Sequence, residues 1–519
     1  MSTQNKFTFI DLFAGIGGFR MALNNLGGNC LGFSEINKDA INTYCTNFNE
    51  NIDSNFGDIT KIKFLPQHDL LTGGVPCQSW SIAGKNLGFD DDRGQLWNDT
   101  IYLLNQSKPK AFIFENVKGL VDPRNKKALN YILERIKEAG YFAKYYVLNS
   151  FDYGVPQNRI RIYIVGFLEE EFASKFCIPK PVDNKLRLSD ILSSSIKQKA
   201  NNVSVLQKDL FGENILPRNM SLSNTNGLND YFLFNDLRNG HSTIHSWDII
   251  KTTERQKNIC YLLLRNRRKS AYGSLDGNPL SLIHFQNLDN TITQKDLDDL
   301  VELGILKVDN YSFKINNCIA CDLTDDQREL LKYGFNNRLL IDTLKTNRDL
   351  KIKNISISKT LKSLEEKNII SCDEIRYDFK NTKISTGLNG INRIFLPSSK
   401  IFPTLVASDT NDYITTNEIQ AKTQEEHRQL FIETIYQKND FRKITKEEAC
   451  KIQGFPPDYI LPENRARWMK LLGNSVSVPV IEILSKAIIK TGVFDSENII
   501  KKQEKNSHHL HLVNSIKEI

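Results

Sequence analysis

The sequence predicts an α/β fold: a largely parallel sheet with helices on both faces, interrupted by a large inserted lobe. Between residues 7 and 168 short apolar strands alternate with amphipathic helical stretches. After about Pro181 that rhythm stops, and apolar helical character returns only between Arg442 and Leu484. Strand–helix alternation implies crossover connections, which build parallel sheets buried on both faces. A chain of 519 residues also exceeds one ordinary domain. The expected division is a first unit over 1–182, a lobe over 183–440, a segment over 441–490 that completes the first unit, and a solvated tail over 491–519.

Taken in order, Lys6 to Phe13 (KFTFIDLF) reads as a strand and Phe19 to Leu26 as a helix. Asn29 to Glu35 is the next strand and Lys38 to Phe48 the next helix. DLLTGG, AFIFENV and RIYIVGF follow as strands, with Leu129 to Gly140 a helix stopped by glycine. Ligands of such sheets sit at the carboxyl ends of the strands.

The lobe reads differently. Residues 183 to 240 are polar and weakly periodic, and Thr252 to Leu264 is a helix running into the basic cluster Arg265, Arg267, Arg268 and Lys269. Two segments then repeat one pattern, Leu297 to Leu306 and Leu361 to Ile370: a helix closed by Gly304 or Asn368 in a left-handed cap. Each precedes a strand-like piece, which predicts winged-helix-like units or, equally, plain amphipathic helices on β-hairpins.

Composition narrows the class. Apolar residues at 40% and charged residues at 25% describe a soluble globular protein. There is no run of 18 apolar residues and no signal-peptide core, so a cytoplasmic protein without membrane contact is expected. Nine cysteines at irregular spacing suit a reducing compartment. The lone pair Cys318 and Cys321 and the tail histidines give no reason to expect a metal. A net charge of +7 is compatible with nucleic acid without requiring it.

Two constellations carry chemistry. Cys77, in GGVPCQSWS, follows a proline on a Gly-framed loop after an apolar strand, a setting placed for attack that on its own fits a nucleophile and a buried thiol about equally. Near the amino terminus, Gly15, Gly17 and Gly18 lie between strand and helix, where backbone can approach a ligand closely. The third glycine position of the dinucleotide fingerprint is Arg20, so no pyrophosphate site is expected. Glu35 ends the next strand, placed for two ribose hydroxyls, and Asp58 is a second acid suited to an adenine amino group. Together they favour an adenosyl ligand without a pyrophosphate.

FIDLFAGIGGF, PCQ, FENV (Phe114 to Val117) and QNRIR (Gln157 to Arg161), in this order and spacing, resemble the cytosine-C5 DNA methyltransferases of bacterial restriction–modification systems. The resemblance covers roughly residues 7 to 182 and 440 to 485. It implies a Rossmann-like domain dependent on S-adenosylmethionine and a target-recognition lobe in the insert. It assigns Phe13 to Gly18 to the methionine part of the cofactor, Glu35 to its ribose, and Asp58 with Ile59 to its adenine. Ile36 stands where many relatives carry tryptophan. Pro76 and Leu96 join the cofactor set, and GNSVSVP (Gly473 to Pro479) matches the family's last motif, whose Asn474, Ser475 and Val476 close the pocket.

Residue chemistry agrees with that resemblance. C5 of cytosine becomes nucleophilic once a thiolate adds to C6, which is the role expected of Cys77. Glu115 is expected to meet the charge developing at N3, with Asn116 holding the loop. Arg159 and Arg161 offer planar forks for the base's O2, for Glu115 and for phosphate, and Arg161 is the better match to the arginine lining the cytosine pocket. The loop from Gln78 to Leu96 is expected to close over an extruded base, with Ser81 as a phosphate contact and Lys85 and Arg93 as lesser ones. Arg265, Arg267 and Arg268 are expected to face phosphates. Partners then follow: double-stranded DNA bound by a monomer, and a cognate restriction endonuclease. Two rivals remain. An RNA-modifying enzyme of the same fold would carry a Cys-Phe-Thr signature, absent here, and a catalytically dead binding protein would not need Cys77, Glu115 and Arg161 together.

Overall fold

A computed structural model of the chain describes residues 6–76, 92–183, 186–192, 229–316, 323–382, 384 and 386–495, with backbone alone over 92–95. The first unit begins with β1 (Phe7–Leu12), α1 (Gly18–Asn24), β2 (Gly28–Ser34), α2 (Lys38–Phe48) and β3 (Leu70–Gly74). It continues with α3 (Asp92–Ser107), β4 (Ala111–Val117), α4 (Lys126–Glu138) and β5 (Phe142–Asn149). Then come β6 (Gln157–Asn158), β7 (Ile160–Phe167) and α5 (Glu170–Lys175). α3 begins inside the stretch expected to be loop as far as Leu96.

Six strands form one sheet in the order β2-β1-β3-β4-β7-β5. The first four are parallel, as expected. β7, however, runs antiparallel to both of its neighbours, so the sheet is mixed. The reason is the connection. α4 carries the chain from β4 over to β5, and residues 150–159 then turn it straight back into the gap between them, which reverses its direction.

Alternation along the strands sends side chains to two cores. Phe7 and Phe9 of β1 and Ala111 and Ile113 of β4 join one; Ile10, Leu12, Phe112 and Phe114 join the other. The same period places Asp11, Thr72 and Glu115 on the first face, near the carboxyl ends of β1, β3 and β4.

The lobe opens with β8 (Tyr231–Phe234), β9 (Thr243–Ile244), α6 (Ser246–Ile249) and α7 (Glu254–Asn266). Its middle holds α8 (Leu282–Leu288), α9 (Gln294–Glu302) and β10 (Leu306–Ile315), then α10 (Asp325–Leu331) and β11 (Arg338–Leu340). α11 (Ile341–Thr346), α12 (Arg348–Ile352), α13 (Ile357–Glu366) and β12 (Ile370–Phe379) complete it. Both expected helix-and-cap segments form: Gly304 has φ 74° and Asn368 has φ 55°. Their strands do not make separate wings, because β10 pairs antiparallel with β12 along its whole length. The two helix-and-cap segments therefore share one sheet.

β13 (Arg393–Phe395), β14 (Phe402–Pro403), β15 (Asp412–Ile414) and α14 (Gln424–Phe431) follow. β15, β13, β8 and β9 form a second sheet, while β14 pairs with β6 and so touches the first unit before residue 441. The chain then returns through α15 (Lys446–Gln453), α16 (Arg465–Asn474) and α17 (Val478–Lys490). By length and composition the stretch Arg465–Lys490 could cross a membrane. Its Leu472, Ile481, Leu484 and Ile488 are instead wholly buried in the core that holds Phe9, so packing within the protein accounts for their apolarity.

Candidate active site

The glycine turn after β1 is built on left-handed backbone: Phe13 has φ 51°, Gly15 54° and Gly17 83°. Gly17 also has no room for a side chain, since a Cβ there would stand 2.3 Å from the Phe48 ring. Over Gly15 the space is open, the nearest atom being Phe13 O at 4.0 Å. Glu35, half-buried at the end of β2, reaches this turn: its Oε2 accepts from Gly15 N at 2.8 Å, and its Oε1 from Ile36 N and Asn37 N. Ile36 is 70% exposed. Asp58 caps a short turn, its Oδ1 accepting from Thr60 N and Oγ1, bonds that hold its carboxyl below the usual range. Ile59 beside it is buried.

The return segment closes this end. A Cβ on Gly18 would meet Val476 Cγ2 at 2.7 Å, and one on Gly74 would meet Val476 Cγ1 at 3.9 Å, so Val476 lies between the first turn and the end of β3. Tyr459 donates its hydroxyl to Ile16 O. Asn47 exchanges two bonds of 2.8 Å with the backbone of Ile460. Ser475 is buried and Asn474 exposed.

At the other end of the site, Glu115 sits opposite Gly74 in the β3–β4 register. It is buried at 8% exposure, and Arg161 Nε lies 3.1 Å from its Oε1. The N–H does not point at that oxygen, which therefore has no hydrogen-bond donor. This is a charge contact that leaves an acceptor unused. Asn116 Nδ2 donates to Val75 O at 3.2 Å and so fixes the strand that leads into Pro76. Cys77 is the next residue; it, Ser81, Lys85, Cys318, Cys321 and the tail histidines lie outside the described residues, as does the side chain of Arg93. Leu96, half-buried, packs against the core under α3.

Two expectations are corrected. Arg159 does not share the place of Arg161 beside Glu115. It is 2% exposed and donates to the carbonyls of Leu405, Gly473 and Ser475. Burial, with Arg161 nearby, pushes its guanidinium down to about 9, and it stays charged at neutral pH. Arg159 is thus a clamp on the return segment. Arg267, likewise, is buried and faces Asp378 at 2.9 Å, which removes it from any phosphate-facing set. Arg265 and Arg268 are exposed, Arg265 over the Tyr261 ring at 5.7 Å and Arg268 at 3.6 Å from Asp276.

One residue went unassigned. Asp11 is wholly buried on β1; Oδ1 accepts from Thr72 Oγ1 at 3.2 Å, and Oδ2 has no partner. Burial raises its carboxyl to about 8, although the bond from Thr72 opposes the shift. The signal was present in FIDLF, an acid inside a strand apolar on both faces.

Fold and site together define a mixed α/β enzyme whose polar groups gather at the carboxyl ends of the strands. The chain belongs to the C-5 cytosine-specific DNA methylase family, whose model matches residues 7–490, and is a DNA (cytosine-5-)-methyltransferase. It is 40% identical to the type II methyltransferase M.HgiBI of Herpetosiphon aurantiacus over 95% of this chain and 99% of that one. It is 30% identical to M.NlaIV of Neisseria lactamica over 94% and 100%. Among solved structures, the Entamoeba histolytica methyltransferase EhMeth superposes with a TM-score of 0.45 at 15% identity, covering 94% of this chain and 99% of that one.

Proposed function

We propose that the chain moves a methyl group from S-adenosylmethionine to C5 of one cytosine within a specific duplex sequence, as the modification partner of a restriction endonuclease. The observation that carries this reading is the unused acceptor of Glu115, buried beside Arg161 and opposite Gly74, which stands three residues before Cys77 in the sequence. Arg161 holds the Glu115 carboxyl in place from 3.1 Å, and Glu115 meets N3 while the Cys77 thiolate adds to C6. Loss of the C5 proton then lets the Cys77–C6 bond break. The bound cofactor supplies an electrophilic methyl group. Phe13, Gly15, Gly17 and Gly18 would line its methionine end, Glu35 its ribose, and Ile36, Asp58 and Ile59 its adenine, with Pro76, Leu96, Asn474, Ser475 and Val476 closing the pocket. The open space over Gly15, next to a carboxylate held by Gly15 N, fits such a ligand.

Residues 1–182 and 441–490 form the catalytic domain, 183–440 the recognition lobe and 491–519 a tail. Ser81, Arg265 and Arg268 face DNA phosphates, and the protein acts in the cytoplasm as a monomer on DNA. Duplex DNA carrying 5-fluorocytosine at the target should trap the enzyme covalently, because fluorine cannot leave as a proton. Cys77→Ala should bind DNA and cofactor yet form no adduct. Turnover in Cys77→Ala within a factor of about 30 of wild type, roughly 2 kcal/mol, would overturn the assignment. Methyl transfer to tRNA and not to duplex DNA would favour the RNA-modifying reading.

A further inference from the structure

The middle of the lobe is one unit built twice. Leu297 matches Leu361, Leu300 matches Leu364 and Ile305 matches Ile369, each pair 64 residues apart and all six buried. The pairing of β10 with β12 runs from Leu306↔Phe379 to Ile315↔Ile370, so the two halves face each other across a pseudo-dyad. Even the first strands are exchanged: Leu280 of the first half bridges to Tyr377, and Leu339 of the second pairs with Phe313, the matching position. Apolar residues are kept across the dyad while charge is not. From Leu280 to Gly304 there is one lysine against five carboxylates; from Leu339 to Asn368 there are seven cations against four carboxylates.

We propose that only the second half reads DNA, through the outer face of α13 and the turn before it, and that the first half is its charge-inverted, structural twin. The inference rests on the DNA-methyltransferase reading above. A helix with α9's exposed Asp298 and Glu302 is repelled by a phosphate backbone, and Asp296 is already held by Arg255 at 2.7 Å. At the position of Asp298, α13 carries the exposed Lys362, 3.9 Å from the exposed Glu366 and one turn from the exposed Lys359. Lys345, Arg348, Lys351 and Lys359 have no carboxylate partner among the described residues. Arg268, Lys345, Ser358 and Lys362 line one cleft of about 780 Å³; of its four carboxylates Asp309, Asp378 and Asp276 face Lys307, Arg267 and Arg268, and Glu365 is the fourth. Beside the unpaired Lys351, and before Lys353, which Glu329 holds at 2.7 Å, Ile352 stands 80% exposed on a turn closed by Asn354 at φ 57°. Free cations around an exposed apolar tip match a duplex, whose phosphates attract the cations and whose thymine methyls accept apolar contact.

The test uses the full chain. Lys345→Ala/Arg348→Ala/Lys351→Ala should weaken binding to all duplexes and flatten the plot of log affinity against log salt by about three phosphate contacts. Lys359→Ala/Lys362→Ala and, separately, Ile352→Ala should lower the ratio of specific to non-specific binding at least tenfold, and bisulfite sequencing of expressing cells should show a relaxed methylation site. Asp298→Asn/Glu302→Gln on α9 should change neither. Lys359→Glu serves as a second α13 variant should the double alanine fail to fold. An unchanged site and salt slope in folded second-half variants, or a changed site in the α9 variant, overturns the proposal while leaving methyl transfer by the wild type intact. Failure of the wild type to methylate any DNA would instead sink the underlying function.

Discussion

Replacing Arg159 by alanine removes a buried cation that donates to three backbone carbonyls: Leu405 from the lobe's last approach to the sheet, and Gly473 and Ser475 from the return segment. Each bond is charge-assisted, and such bonds contribute about 1.5–3 kcal/mol. The three are not independent, and water entering the space left by the side chain would satisfy part of what is lost. Loss of the guanidinium also ends its own desolvation cost, so the net destabilisation should be about 3–5 kcal/mol, as for breaking other buried charged networks. Urea unfolding followed by tryptophan fluorescence would measure it, since Trp468 lies on α16 within the clamped segment. Cofactor affinity should fall as well, because Ser475 precedes Val476 on the pocket wall. Arg161→Ala, by contrast, should keep most of its stability and lose turnover. An Arg159→Ala protein that unfolds within about 1 kcal/mol of wild type yet cannot methylate would refute the clamp and return Arg159 to the base.

Three further outcomes follow from the site. Glu35→Ala and Asp58→Ala should each weaken S-adenosylmethionine binding by about 1–3 kcal/mol in calorimetric titration, the cost of an unpaired polar group; unchanged affinity in both would make them mere turn-formers. Glu115→Gln should slow methyl transfer far more than it weakens DNA binding, and equal losses in both would deny Glu115 a role at N3. Asp11, raised to about 8 in the fold, binds its proton more tightly folded than unfolded, so its stabilising protonation is complete below about pH 4 and is lost as the pH climbs through 8. Asp11→Asn copies the protonated form and should gain on wild type between pH 5 and 9, by about 2–5 kcal/mol in the cofactor-free protein; a pH-independent difference would contradict the buried charge.

Much of this was legible in the residues. Apolar alternation marked β1 to β4, and proline and glycine marked the loop of Cys77. Strand direction was not legible, because a period of two is the same in either sense, and so β7 could not be told from a parallel strand. β5 escaped notice because it is an edge strand, with Phe142, Tyr145 and Val147 exposed. Arg159 and Arg161 are two apart and should share a face, but β7 begins only at Ile160, so Arg159 is free of that alternation. Arg267 was legible in retrospect: Cys260, Leu263 and Leu264 form the buried stripe of α7, and Arg267 continues it, whereas Arg265 and Arg268 lie off it.

The wall that Tyr459 and Val476 set against the glycine turn has a consequence for how the enzyme comes into being. Some 300 residues separate β7 from that wall. At about 5–20 residues per second a ribosome needs roughly 15–60 s to cross the gap, during which the sheet is made but its first face, packed by α1, still lacks α15 to α17. The core that holds Phe9, Ile113 and Val165 is completed only by residues such as Leu472, Ile481 and Leu484, so nascent chains are open to chaperones and to one another. Activity therefore cannot precede the last helix, and the cell receives its methyltransferase only as a finished molecule. Where a nuclease is made alongside it, the order of the two syntheses decides whether the host's own DNA is already marked when cutting begins.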